Sequence, residues 1–92
     1  MTYRIILSEL AKQHLSEWKQ SGKLSVLNKM AQIFRELEAH PMTGTGKPER
    51  LKGALSGFWS RRITKSDRIV YSIDGENIKV DVVSAKGHYG DK

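Results

Sequence analysis

A carboxylate set among cations can accept a proton while its neighbours hold an anion, and Glu49 stands in that setting, flanked by Lys47, Arg50 and Lys52. Two readings of Glu49 stand side by side. One is an ion pair with Arg50, Lys52 or another neighbour. The other is a general base, kept ionised at neutral pH by the nearby arginines and helped by a cationic field that stabilises the alkoxide it creates. His88, next to Tyr89 near the C-terminus, is either a surface histidine or a general acid. An imidazole near its reference pKa of about 6.5 can give a proton to a departing oxygen. His14, on the apolar side of the first helix, and His40, at the end of the second, fit the surface reading better.

The surrounding stretch, Gly44 to Tyr71, carries most of the charge. Between Lys47 and Arg68 it holds seven Lys/Arg (Lys47, Arg50, Lys52, Arg61, Arg62, Lys65, Arg68) against Glu49 and Asp67, which is five of the chain's six net positive charges. A basic patch concentrated this way points to a polyanion, nucleic acid first. A solvated basic face is the plainer alternative, but solubility alone does not require Phe58, Trp59 and Tyr71 among the arginines. Gly44 and Gly46 begin a superficial GxGxxG whose third position is Glu49; without a strand–turn–helix context they read as loop glycines.

Ninety-two residues make one domain, 1–92, with no room for a second. Such a chain buries only about 60–65% of its unfolded surface, so its core is thin. The absence of cysteine excludes a disulfide, a thiolate metal site and a cysteine nucleophile, and fits a reducing cytoplasm. The opening MTYRIILSEL has too short an apolar run for a signal peptide, and no stretch is suited to span a bilayer, so no membrane partner is expected.

These candidates must be positioned by a small set of elements. Tyr3 to Leu7 reads as a first strand. Ser8 is placed to cap a helix running to about Ser21, with Leu10, Ala11, His14, Leu15 and Trp18 at helical spacing and Gly22 as its stop. A second helix spans about Lys23 to Ala39. Leu27, Met30, Ile33, Phe34 and Leu37 form its apolar stripe, widened by Leu24 and Ala31, and Pro41 ends it. The short joint predicts an antiparallel helical hairpin. Glu49–Leu51, Phe58–Thr64, Arg68–Ile73 and Asn77–Ser84 read as strands, with a turn at Asp74–Asn77; short connections favour antiparallel pairing. The expected class is α+β: an N-terminal strand and a helical hairpin packed on a twisted antiparallel sheet.

Parity along the middle strands separates two faces. Trp59, Ile63, Ile69, Tyr71 and Ile73 are all odd-numbered and should face the helices; Phe58, Ser60, Arg62, Thr64, Arg68, Val70 and Ser72 take the other side. A turn at Lys65–Asp67 would pair Thr64 with Arg68 and Ile63 with Ile69. Arg62 and Arg68 then share a face of adjacent strands, and phosphate binding is one good reason to hold two arginines together. Arg61 falls on the helix face. It is expected either to snorkel to an edge, joining Lys47, Lys52 and Lys65 as RNA-binding residues, or to make a structural hydrogen bond.

GKPE followed by L-K, then LSGFWSRRIT (Leu55 to Thr64), then RIVY resembles the YoeB/Txe toxins of bacterial type II toxin–antitoxin modules, within the RelE superfamily. The likeness covers most of the chain in element order and residues 44–71 plus His88-Tyr89 in detail. It implies a RelE-like fold and a cytoplasmic bacterial endoribonuclease that cleaves mRNA in the A site of the 70S ribosome, inhibiting translation. The RNA's 2′-hydroxyl is the nucleophile, and a cyclic phosphate is left. The family's acid falls on Glu49, its two arginines on Arg62 and Arg68, its terminal His-Tyr pair on His88, the general acid, and Tyr89, which positions the scissile nucleotide. The resemblance implies no cofactor and no metal, with arginines supplying the charge. It also implies a YefM-like acidic antitoxin, a homodimer, and operator DNA bound only through the antitoxin complex. A noncatalytic RNA- or ribosome-binding module, and a regulatory subunit of a DNA-binding complex, are the alternatives. Asp67 stands where relatives often carry histidine, and the chain continues past His-Tyr as Gly90-Asp91-Lys92.

Overall fold

The computed structural model describes residues 2–46 and 48–82. Its elements follow the order β1 (Arg4–Leu7), α1 (Glu9–Ser21), α2 (Leu24–Ala39), β2 (Glu49–Arg50), a single 3-10 turn at Gly53–Leu55, β3 (Phe58–Arg62), β4 (Arg68–Asp74) and β5 (Asn77–Val82). Ser8 caps α1 as its sequence position predicts, its hydroxyl accepting from the Ala11 N–H at 2.9 Å. The same hydroxyl donates to the Asp81 carbonyl at 2.6 Å, so one side chain both starts the helix and ties it to β5. Gly22 ends α1 in the left-handed region at φ 69.

The strands form one five-stranded sheet in the order β1-β5-β4-β3-β2. Three of its pairings are antiparallel, but β1 runs parallel to β5, with Ile5 opposite Ile78 and Leu7 opposite Val80. The sheet is therefore mixed, which corrects the antiparallel expectation. Short loops dictate antiparallel neighbours only for strands they connect. β1 and β5 are separated by nearly the whole chain, and no turn constrains their direction. Opposite β4, the register slips between Val70, paired with Val82, and Tyr71, paired with Val80. Asp81 is left as the bulged residue, and its carbonyl is the one Ser8 reaches.

One core lies between the helices and the sheet. Ala11 from α1 and Met30, Ile33 and Leu37 from α2 meet Ile63, Ile69, Tyr71, Ile78 and Val80, all buried. Each large aliphatic side chain so placed contributes on the order of 1.5–3 kcal/mol. Trp59 and Ile73 pack against this cluster, so all five odd-numbered residues face the helices, as parity predicts. The helix stripes are narrower than their periodicity suggests. Leu10 and Leu24 are exposed, and so is Ala31. Leu24 opens the first turn of α2, and neither it nor Ala31 widens the buried face.

Candidate active site

The turn between β3 and β4 decides where the arginines stand. The Thr64 hydroxyl donates to Asp67 Oδ2 at 2.8 Å and accepts from the Asp67 N–H at 3.0 Å, while the Ile63 N–H donates to the Asp67 carbonyl at 2.8 Å. This closed loop takes Ile63 and Thr64 out of the ladder. Arg62 pairs with Arg68, and Arg61 with Ile69. The pairing differs by two residues from the Ile63–Ile69 and Thr64–Arg68 register expected. A shift of two preserves side-chain direction, so the face assignment stands while the partners change.

Arg62 and Arg68 are thus directly opposite each other, an arrangement that like charges disfavour unless an anion is to be held. On the other side of β3, Glu49 pairs with Ser60, and Ser60 precedes Arg62 by two residues on the same face. Three adjacent strands, spaced by about 4.8 Å, therefore present Glu49, Arg62 and Arg68 together. These three line a pocket of about 110 Å³ with Gly46, Pro48 and Ser60. Glu49 and Arg62 are exposed, Arg68 is half-buried and Ser60 is buried beneath them. One carboxylate and two guanidinium groups of the kind that bind phosphate thus line a single pocket.

The loop before β2 is drawn onto β3 by its backbone. The Arg62 N–H donates to the Gly46 carbonyl at 2.8 Å. Gly46 has φ 83, and a Cβ there would meet the Arg62 carbonyl at 2.6 Å, so this close approach requires glycine. Sequence reasoning takes Gly46 as a loop glycine and puts Ser60 on the Arg62 face, but assigns neither of them, nor Pro48, to the site. Ser60 was findable, since it shares the parity of Arg62; the approach of Gly46 to Arg62 leaves no local signal.

Arg61 does not reach this pocket. It is fully buried on the helix face, with 0% of its surface exposed. Its Nη1 bonds Glu36 Oε1 at 2.7 Å, its Nη2 bonds the carbonyls of Thr43 at 2.7 Å and His40 at 3.1 Å, and its Nε donates to the Tyr71 hydroxyl at 3.2 Å. Tyr71 in turn donates to the Pro41 carbonyl at 2.6 Å. The expectation of an RNA-binding Arg61 is corrected, because no surface remains for RNA to touch. The structural hydrogen bond is the outcome observed. Burial pushes the Glu36 carboxyl up, but bonds from the Thr45 hydroxyl and N–H, from Gln32 and from Arg61 outweigh it, holding the group at about 2. Burial raises the Tyr71 phenol, against the opposing effect of Arg61.

Lys52 and Lys65 are exposed and lie outside the pocket lining. Arg50 stacks its guanidinium 5.7 Å from the Trp59 ring centre, on the helix side of β3. Lys47, His88 and Tyr89 fall outside the described residues.

A two-helix hairpin on a five-stranded mixed sheet, with a basic face opposite the helices, is the α+β architecture of the RelE/YoeB-like toxins. The solved YoeB/ParE toxin of Agrobacterium tumefaciens superposes with a TM-score of 0.80 at 29% identity, covering 88% of this chain and 95% of that one. The toxin in the heterotetrameric YoeB-YefM toxin–antitoxin complex of Staphylococcus aureus gives a TM-score of 0.76 at 28% identity, covering 91% and 97%. In sequence, Toxin YoeB of Escherichia coli O6:H1 is 35% identical over 86 residues, 94% of this chain and 99% of that protein. Residues 8–89 match the YoeB-like toxin of bacterial type II toxin–antitoxin systems, and the chain belongs to that family.

Proposed function

We propose that this toxin is a ribosome-dependent endoribonuclease that cuts mRNA in the A site. The observation that supports it is the convergence of Glu49, Arg62 and Arg68 on one pocket, a base facing two anion-binding groups. Glu49 takes the proton of an RNA 2′-hydroxyl. The resulting 2′-oxygen attacks the adjacent phosphorus, the bond to the 5′-oxygen breaks, and a 2′,3′-cyclic phosphate and a 5′-hydroxyl are left. Arg62 and Arg68 neutralise the charge that builds on the phosphorane, commonly the largest contribution in such chemistry. His88 supplies the proton to the departing 5′-oxygen, and Tyr89 positions the nucleotide. Lys52 and Lys65, with Lys47, add a longer-range attraction for RNA that steers approach.

The partners follow from the same reading: the 70S ribosome with its mRNA, an acidic YefM-like antitoxin folded over the basic face, and a second toxin copy in a homodimer. Operator DNA is contacted through the antitoxin complex, and the protein acts in the bacterial cytoplasm. Among the described residues no helix is long and apolar enough to cross a membrane. The test is translation-coupled cleavage with purified ribosomes and mapped ends. Cuts in the A-site codon bearing 2′,3′-cyclic phosphate are the expected result; ribosome binding without cleavage would make this a binding module instead.

A further inference from the structure

We propose that Arg61 is a positioning residue, whose buried guanidinium holds the segment from His40 to Gly46 and thereby sets where Glu49 stands relative to Arg62 and Arg68. The inference rests on the endoribonuclease reading above and assigns to that site a support on the opposite face of the sheet. Arg61 and Arg62 are consecutive in β3 and so point to opposite faces. Arg61 gathers the carbonyls of His40 and Thr43 and the carboxylate of Glu36 on the helix side. Glu36 then accepts from the Thr45 N–H at 2.7 Å and the Thr45 hydroxyl at 2.7 Å, fixing the loop two residues beyond Thr43. One residue later, the Gly46 carbonyl accepts from the Arg62 N–H at 2.8 Å. With the Pro41 carbonyl held by the Tyr71 hydroxyl, the loop is bonded at His40, Pro41, Thr43, Thr45 and Gly46 before Pro48 and Glu49 enter the pocket wall.

The device has a reason in the fold. β2 is only two residues long and lies at the sheet edge, so its ladder alone is a weak hold on the proposed base. A longer strand would fix Glu49 by its own hydrogen bonds. Here the fixing is displaced upstream, to a loop without regular structure, and a buried arginine with a fork of donors suits a cluster of carbonyls and a carboxylate. Misplacement of a reacting group by about 1 Å can cost as much as 100-fold in rate.

The experiment compares the full-length toxin with Glu36→Gln, Thr45→Val and Thr45→Ser. Each is measured for single-turnover cleavage against ribosome concentration and for amide hydrogen exchange of Thr43–Glu49, at temperatures where melting shows all of them folded. Thr45→Val removes the hydroxyl bond to Glu36 from a half-buried loop position, so it spares the core if Glu36→Gln fails to fold. Glu36→Gln and Thr45→Val are expected to lower the plateau rate by about 10- to 100-fold, with half-saturating ribosome concentration changed by less than about twofold. Their Thr43–Glu49 amides should exchange faster while those of β4 do not, and Thr45→Ser should keep the wild-type rate. An unchanged plateau rate, or a change confined to half-saturation, overturns the proposal. Wild type that cuts nothing refutes the endoribonuclease reading; the loop-holding role is then judged by exchange alone, upheld by faster exchange in Thr45→Val and overturned by unchanged exchange.

Discussion

Arg61 and Arg62 are adjacent in the chain, yet one is fully buried under α2 and the other lines the pocket with Glu49. Identical side chains on successive strand residues therefore meet opposite environments, and their loss should be read by different instruments. Arg62→Ala is expected to leave thermal stability nearly unchanged and to lower cleavage by at least about 100-fold, as removal of a transition-state charge partner does. Arg61→Ala takes the counter-charge from Glu36 and a donor from the carbonyls of His40 and Thr43, and should destabilise the fold by on the order of 3 kcal/mol, a fall in Tm of roughly 10–25 °C. Melting curves alongside single-turnover rates check both. A stable, inactive Arg61→Ala with an active Arg62→Ala would mean the faces are reversed.

Glu49→Ala and His88→Ala should each lower cleavage by roughly 10²–10⁴-fold while ribosome binding stays nearly unchanged. Co-sedimentation with ribosomes separates binding from chemistry. Equal single-turnover rates for wild type and both variants would remove the acid–base assignment and leave a binding surface.

The Glu36 carboxyl, lowered from 4.5 to about 2 in the folded protein, makes a definite contribution to acid stability. A depressed folded value means the unfolded chain binds the proton more readily. The stabilisation is present above about 4.5 and is lost as pH falls from there through about 2. Its size is on the order of 3 kcal/mol. Urea unfolding of wild type should weaken across that window, and Glu36→Gln should flatten this part of the profile while being less stable at pH 7. A parallel profile in the variant would contradict the assignment.

Tyr71→Phe keeps the ring in the core but removes the hydroxyl that accepts from Arg61 and donates to the Pro41 carbonyl. Two buried polar groups lose a partner, so a loss of about 1–3 kcal/mol is expected. Denaturant midpoints give the value; a change below about 0.5 kcal/mol would show that water or a rearranged loop replaces the hydroxyl.

Much of this protein is legible from local pattern. The Ser8 cap, the Gly22 stop, the α2 stripe at Met30, Ile33 and Leu37, and the odd–even division of β3 and β4 each depend on residues a few positions apart. So does the shared face of Arg62 and Arg68, because strand alternation survives a register error of two; Glu49 joins that face through the pairing of β2 with β3. Most of what the tertiary structure alone decided involves partners far apart in the chain. The direction of β1 is set by β5, which no short turn joins to it. The partners of Arg62 were set by the Thr64–Asp67 side-chain turn, whose geometry outweighed the simplest hairpin. Arg61 looked like one more cation of a basic stretch, and its burial depends on Glu36, which lies 25 residues away on a helix. A charge can be buried only where the fold brings its counter-charge and acceptors together, and local spacing does not encode that convergence.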